Sequence, residues 1–421
     1  MSTLSSVVIV GASLAGHATA QALRRQGFDG RITLIGAEPH RPYDRPPLSK
    51  EFLAGTLDEE HLGLEPDGEA LDAEWILGVR AVSLDPLARS VTLSDGRVVD
   101  ASAVVIATGS VARQLAPAVD GSSSGGGSSS GGGAGPGSAV PGPPRQLPGV
   151  HTLRTLPDAR ALKSDLLPGA RLVVVGAGFI GAEVASTATA LGLDVTVVEA
   201  MPVPLSRQLG AEMGAAVARL HGRHGARLET GVGVHGLVGR DRIEGVELLD
   251  GRVLPADVVL VGVGASPAVE WLRSSGLDLS HGVVCDSHGA TNAPGVWAVG
   301  DCSAWFDATV GAPYRVEHWT DSRERPAHLV KALLAGTLTG GHDAPPLRAP
   351  YFWSDQYGVR IQFAGHRLDT DELVVEAGTP EDANVLATWR RDGRLVAVLG
   401  LNQVRAFTRL RKALRRSTVP A

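Results

Sequence analysis

Short, wholly apolar runs alternate with amphipathic stretches in this chain, and the whole alternation occurs twice. VVIVG (from Val7) is followed by a glycine-rich turn, by AGHATAQALRRQG with helical spacing, and by RITLIG. Four-residue apolar runs bounded by glycine predict buried strands, and the intervening stretch predicts a helix. After position 170 the order returns as RLVVVGAG, FIGAEVASTATALG and DVTVVEA. Each copy then carries a run of alternating residues around an Asp-Gly pair: SVTLSDGRVVDA, turning at Asp95-Gly96, and GVELLDGRVLPA. These predict hairpins. Each hairpin leads into another apolar run, AVVIATGS (Ala103 to Ser110) or DVVLVGVG. Strand–helix–strand alternation predicts α/β units with parallel sheets and right-handed crossovers. From about Glu324 the pattern changes to GVRIQFAG, RLVAVLGLNQV and a basic helix, which predicts a smaller C-terminal α+β domain.

The resulting plan is two Rossmann-like units and a third domain. The first unit is expected at 1–115 and 264–323, the second at 150–263 and the C-terminal domain at 324–421. Between the units lies GSSSGGGSSSGGGAGPGSAVPGPP, Gly121 to Pro144, within an expected flexible insertion at 116–149. Side chains this small cannot offset the entropy of ordering the backbone.

Composition narrows the classes. A chain of 421 residues needs more than one domain, and 43% hydrophobic residues suffice for buried cores. A net charge of -6 argues against a nucleic-acid binder. No apolar run approaches the roughly 20 residues of a membrane span, and MSTLSS leads straight into a strand, so a cytoplasmic protein is expected. Cys285 and Cys302 form no CxxC pair; neither a dithiol nor a zinc or iron–sulfur framework is suggested.

The glycines carry the first chemistry. Gly176, Gly178 and Gly181 follow a strand and open a helix, as a dinucleotide fingerprint requires: a tight turn, close approach to a pyrophosphate, close helix–strand packing. The helix N-terminus supplies N–H groups and partial positive charge for phosphates. Glu199 ends the next strand, placed to accept hydrogen bonds from a ribose and to repel a 2′-phosphate, so NADH is favoured over NADPH; Arg207 is the nearest downstream cation. The first copy keeps Gly11 and Gly16, has Ser13 in place of the middle glycine, and has Glu38 after its second strand. Two such sites imply two dinucleotides, and the economical pair is FAD with a nicotinamide as its electron donor.

Six tracts appear in an order that resembles the FAD- and NADH-dependent ferredoxin reductases, a glutathione-reductase-like family that serves haem monooxygenases and ring-hydroxylating dioxygenases. They are VVIVGASLAG, RPPLSK (Arg45 to Lys50), IATGS, LRTLPDA (Leu153 to Ala159), VWAVGDC (Val296 to Cys302) and FWSDQYG (Phe352 to Gly358). The resemblance implies that Asp301 binds the ribityl chain of FAD. It also implies that Lys50 reaches the isoalloxazine; Glu183, two residues after the third glycine of the second copy, is the natural counter-charge, and an ion pair of the two joining the units is expected. Ala15, Glu38, Ala81 and Arg154 match FAD-contacting positions, Ala81 through its backbone, and Arg45 adds a cation near the cofactor. Trp319 and Trp353 lie in tracts that approach the flavin in the family, although a tryptophan is equally at home in a core.

Electrons arriving from NADH as a pair must leave singly to an iron–sulfur ferredoxin or a rubredoxin, with the flavin between them. Hydride transfer needs mainly orientation. Two basic clusters could guide docking: the helix RAFTRLRKALRR (Arg405 to Arg416), with Phe407, Leu410 and Leu414 at helical spacing, and Arg315 with Arg323 and Arg325. Two alternatives stay open. One is an NADH oxidase or peroxidase on the same scaffold, for which Cys302 is the only candidate thiol near the flavin. The other is a redox-switched interaction protein resembling apoptosis-inducing factor.

Overall fold

The computed structural model describes residues 4–65, 71–115, 147–336 and 349–417, with side chains to 414. The Gly/Ser tract and most of the expected insertion at 116–149 lie outside them, as does the side chain of Arg416.

In the first unit Ser6–Val10 is the central strand. It pairs in parallel with Arg31–Gly36 on one side and Ala103–Ile106 on the other; Glu74–Leu77 and Val296–Ala298 complete a five-stranded sheet. Both faces are covered, which is why VVIV and AVVI need no polar alternation. The second unit repeats the plan: Arg171–Val175 lies between Asp194–Glu199 and Val258–Val261, with Arg227–Thr230 and Val150–His151 at the edges, all parallel. The two Asp-Gly runs form antiparallel pairs, Ser90–Leu93 with Val98–Asp100 and Gly245–Leu248 with Val253–Pro255.

The chain leaves the first unit along Ser110–Ala112 and returns along Ala265–Pro267, and these two crossings pair antiparallel. The returning segment supplies Val296–Ala298 to the first sheet and then the helix Trp319–Leu334, whose Leu329, Val330 and Leu333 share a core with Val8 and Leu23. The expected boundary at 324 therefore falls inside a helix. The run of charges from Arg323 to Arg325 marks a change of pattern but not of domain, because the apolar stripe that follows packs on the first unit.

The sheet of the C-terminal unit begins at Tyr351. Its five antiparallel strands run in the order Tyr351–Gln356, Val359–Gly365, Arg394–Leu401, Val385–Arg391, Glu372–Ala377. The helix Val404–Ser417 covers one face, with Phe407 and Leu414 against Ala364, Leu386 and Val398. The other face, including Ile361, Phe363 and Trp389, lies on Leu209, Met213 and Val217 of the helix Ser206–Arg223 in the second unit. Alternate residues of each strand thus serve different partners. No helix of the described residues is long and apolar enough to cross a membrane.

Candidate functional site

The first cradle is built by close backbone approach. Gly11 has φ +118, and a Cβ there would lie 2.1 Å from the Ala107 carbonyl oxygen. A Cβ on Gly16 would lie 1.8 Å from the carbonyl oxygen of Gly11. Neither position admits a side chain. Ser13 starts the helix Leu14–Arg25, and its hydroxyl accepts from Arg45 Nε at 3.3 Å. The same guanidinium donates to Glu38 Oε1 at 2.6 Å and to the Arg154 carbonyl oxygen. Tyr43 donates to Glu38 Oε2 at 2.6 Å while its oxygen accepts from the Leu156 N–H at 2.9 Å. Burial pushes the Glu38 carboxyl up, but the Arg45 charge and the bonds from Tyr43 and Arg45 outweigh it and hold it below the usual range. Burial raises the Tyr43 phenol.

Asp301 lies three positions after the strand Val296–Ala298. Its carboxylate accepts from Arg154 Nη2 at 2.9 Å, Ser110 Oγ at 3.2 Å and Ser322 Oγ at 3.3 Å. A Cβ on the preceding Gly300 would stand 2.9 Å from Cβ of Ala15, so this turn packs directly on the first helix. Ala81 begins the strand Ala81–Asp85, just after Gly78 and Val79 bond the backbone oxygens of Glu38 and Gly36. Ser13, Ala15, Glu38, Arg45, Arg154 and Asp301 thus form one connected surface, with Ala81 beside it through the backbone.

The second cradle uses the same turn. A Cβ on Gly176 (φ +102) would meet the Gly262 carbonyl oxygen at 2.5 Å, and one on Gly181 would meet that of Gly176 at 2.2 Å. A Cβ on Gly178 would meet nothing within 4 Å: the middle glycine borders open space at the start of the helix Phe179–Ala190. Glu199 closes the turn, accepting from the Ala177 N–H and the Met201 N–H, both at 2.9 Å. An ionised carboxylate has about four acceptor positions, so two remain for a ribose. Both cradles fit a dinucleotide: each is cramped where helix and strand meet and is provided with an acid at or after the second strand, and the second is open at the middle glycine.

The cradles meet at Glu183, which is 3% exposed on the helix Phe179–Ala190. A carboxylate this deep needs partners. Lys50 Nζ lies 2.9 Å from Oε2, so the expected ion pair is formed. Ser49 Oγ also donates to Oε2, and Ser354 Oγ donates to Oε1 at 2.7 Å. Three units contribute to one acid. Nearby, the rings of Trp319 and Trp353 meet edge to face at 5.8 Å. Trp319 Nε1 donates to Asp44 at 2.7 Å, Arg323 lies over the Trp319 ring, and Arg360 over that of Trp353. Both indoles are partly exposed, so they belong to a surface cluster rather than to a core.

The basic cluster expected around Arg315 is not a unit. Arg325 is buried, ion-paired with Asp321 at 3.1 Å and lying over Trp305. Arg315 is paired with Glu317 and bonds the Asp301 carbonyl oxygen. Helical periodicity separates these residues: Arg323 faces solvent, while Arg325 turns inward with the apolar stripe. On the C-terminal helix Arg405, Arg409 and Lys412 are exposed opposite Phe407 and Leu414, and Arg411 lies 3.7 Å over Tyr351, which stacks on Trp353. Cys302 is fully buried, with its thiol directed to the Ile106 and Val299 carbonyl oxygens and its pKa raised by burial. It offers no thiolate for oxidase chemistry.

Several residues of this surface carried no sequence signal of their own. Tyr43, Asp44 and Ser322 bond the acids and rings above, and Ser49, Ser110 and Ser354 were visible only as parts of RPPLSK, IATGS and FWSDQ.

Comparison with known proteins agrees with this geometry. Residues 5–336 match the family model described as pyridine nucleotide-disulphide oxidoreductase, and residues 351–421 match the reductase C-terminal model. The chain is 41% identical over 403 residues to the ferredoxin reductase component of a chlorobenzene dioxygenase from Cupriavidus sp. (strain PS12), covering 95% of this chain and 90% of that one. It is 36% identical over 413 residues to rhodocoxin reductase of Rhodococcus erythropolis, covering 97% and 89%. Among solved structures, the covalent putidaredoxin reductase–putidaredoxin complex superposes with a TM-score of 0.86 at 30% identity, covering 98% of this chain and 94% of that one.

Proposed function

Because the chain belongs to the pyridine nucleotide-disulphide oxidoreductase family, with the reductase C-terminal domain of ferredoxin reductase components, we propose that it is an FAD-dependent NADH:ferredoxin oxidoreductase. Its partner is an iron–sulfur ferredoxin that serves a haem monooxygenase or a ring-hydroxylating dioxygenase, and its place is the cytoplasm. The observation that carries the reading is the Lys50–Glu183 pair, which fastens the helix of the second cradle to the RPPLSK tract of the first. When bound, FAD supplies the conversion of one hydride into two single-electron transfers.

The chain's own groups do the rest. Gly11, Ser13, Ala15 and Gly16 at the first helix N-terminus hold the FAD diphosphate, Glu38 its adenosine ribose, and Ala81 borders the adenosine side. Arg45 neutralises Glu38 and ties it to the 154 carbonyl, while Arg154 and Asp301 together hold the ribityl side. Gly176, Gly178, Gly181 and Glu199 hold NADH, and the openness at Gly178 lets its pyrophosphate touch backbone. Lys50 would present a positive charge to the isoalloxazine side, and Glu183 keeps that ammonium in place. Trp319 and Trp353 line the exit toward the acceptor. Arg405, Arg409 and Lys412, joined to that exit through Arg411 and Tyr351, attract an acidic ferredoxin.

One assay tests the reading. Purified protein is mixed with NADH, flavin bleaching is followed, and a ferredoxin with cytochrome c is then added. Rapid bleaching and ferredoxin-dependent cytochrome reduction are expected. A chain that stays colourless after incubation with FAD overturns the proposal, and fast oxygen uptake without ferredoxin replaces it with the oxidase.

A further inference from the structure

We propose that Ser354 and Gln356 are positioning residues for Lys50, a buried relay by which the C-terminal unit sets the redox properties of the cofactor bound between the other two. The inference rests on the reading that Lys50 faces FAD.

On the strand Tyr351–Gln356, residues two apart share a face. Ser354 and Gln356 are both fully buried, and the Ser354 hydroxyl reaches the helix Phe179–Ala190. Gln356 Nε2 donates to Ser354 Oγ at 3.0 Å, and Ser354 Oγ donates its single proton to Glu183 Oε1 at 2.7 Å. On the other oxygen sit Lys50 at 2.9 Å and Ser49. Successive donors all point toward the acid, so each polarises the next. Buried polar side chains cost stability unless they are paired. Gln356 Oε1 is buried without a partner, so its amide is held by the bond to Ser354, and the run of bonds ends on the carboxylate that holds Lys50.

The register is secured at the adjacent turn. Tyr357 (φ +53) and Gly358 (φ +74) form a two-residue hairpin, and the Tyr357 N–H donates to Ser186 Oγ at 2.7 Å on the same helix. A slip of one residue would bring Trp353 and Asp355 to the acid instead. Without the Ser354 hydroxyl, Oε1 keeps only the Asp355 N–H at 3.4 Å. The carboxylate could then rotate, and Lys50 with it.

The test uses the FAD-loaded full chain and reads equilibrium rather than turnover. The two-electron midpoint potential is measured by dye equilibration, with FAD content and melting temperature in parallel, for Ser354→Ala, Ser354→Thr, Gln356→Leu and Lys50→Met. Ser354→Ala is expected to shift the equilibrium constant for reduction by NADH about tenfold toward the oxidised form, the size of one hydrogen bond to a charged group. The direction should match Lys50→Met. Gln356→Leu should give a smaller shift of the same sign, and Ser354→Thr should restore the original value. If Ser354→Ala fails to load FAD, Gln356→Leu, which keeps the hydroxyl, carries the test by itself. A lowered melting temperature with an unmoved potential in Ser354→Ala and Gln356→Leu, while Lys50→Met moves it, overturns the relay and leaves the proposed function intact. An unmoved potential in Lys50→Met overturns both the relay and the role given to Lys50.

Discussion

The two dinucleotide units share a topology and a turn, yet they treat its second position in opposite ways. In the first unit Ser13 occupies it and is bonded by Arg45, which also neutralises Glu38 and holds the carbonyl of Arg154. In the second unit Gly178 borders open space, and Glu199 is held by backbone N–H groups, with no cation paired to it among the described residues. The first cradle is strapped across by side chains from three segments, whereas the second is bordered by its own turn. Such a difference suits a cofactor that stays and a substrate that exchanges. A closed set of charge-assisted bonds slows dissociation, and an open backbone turn permits rapid entry and release.

This contrast can be broken experimentally. The largest effect is expected from Gly178→Val, which fills the open side of the second turn: kcat/KM for NADH should fall of the order of a hundredfold with FAD content unchanged, as for a misplaced substrate. Loss of FAD from that variant would mean that the cradles are not separate. Asp301→Ala should do the reverse, weakening FAD retention about tenfold or more because Arg154 is left without its carboxylate; fluorescence of released FAD reads this directly. Arg45→Gln tests the strap itself, and an unchanged FAD dissociation rate would leave the distinction between the two turns without a cause. Reversing charge at Arg405, Arg409 and Lys412 touches neither cradle. It should slow ferredoxin reduction about fivefold at low ionic strength, fading as salt screens the surface, while reduction of the protein by NADH is unaffected.

The smallest effect is one of pH. His221, on the second unit's helix Ser206–Arg223, is buried and its pKa is pushed down to about 4, and its Nδ1 faces the Tyr357 hydroxyl at 2.8 Å. The unfolded chain binds a proton near pH 6.5 and the folded one only near 4, so stability from this group is complete above 6.5 and is lost as pH falls through that window. At pH 5.5 the loss is about 1 kcal/mol. Chemical denaturation of His221→Phe should show that much less decline between pH 7 and pH 5.5. His17 in the first unit is also lowered to about 4, mainly by burial and then by Arg41. Acid should therefore weaken both units instead of distinguishing them.

What could be read from the chain follows local rules. Gly11, Gly16, Gly176 and Gly181 announce their turns because no side chain fits there, and the apolar runs announce strands because both faces are covered. The family tracts brought Lys50, Asp301 and Arg154 into view, and Glu183 stood out as an acid two residues after the third glycine of the second turn. The boundary at 324 was misjudged because charge density and burial diverge along the helix Trp319–Leu334. The basic cluster around Arg315 dissolved for the same reason: periodicity sends Arg323 outward and Arg325 inward.

By itself, then, the sequence determined the repeated unit, its two glycine turns and the acids that follow them, since these depend on spacing within one segment and on backbone sterics. Only the tertiary structure decided which side chains close the first cradle and that Ser49 and Ser354 join Lys50 on Glu183. The partners of Glu183 come from segments more than a hundred residues away, and a hydrogen bond depends on where folding brings two groups, which no local pattern encodes.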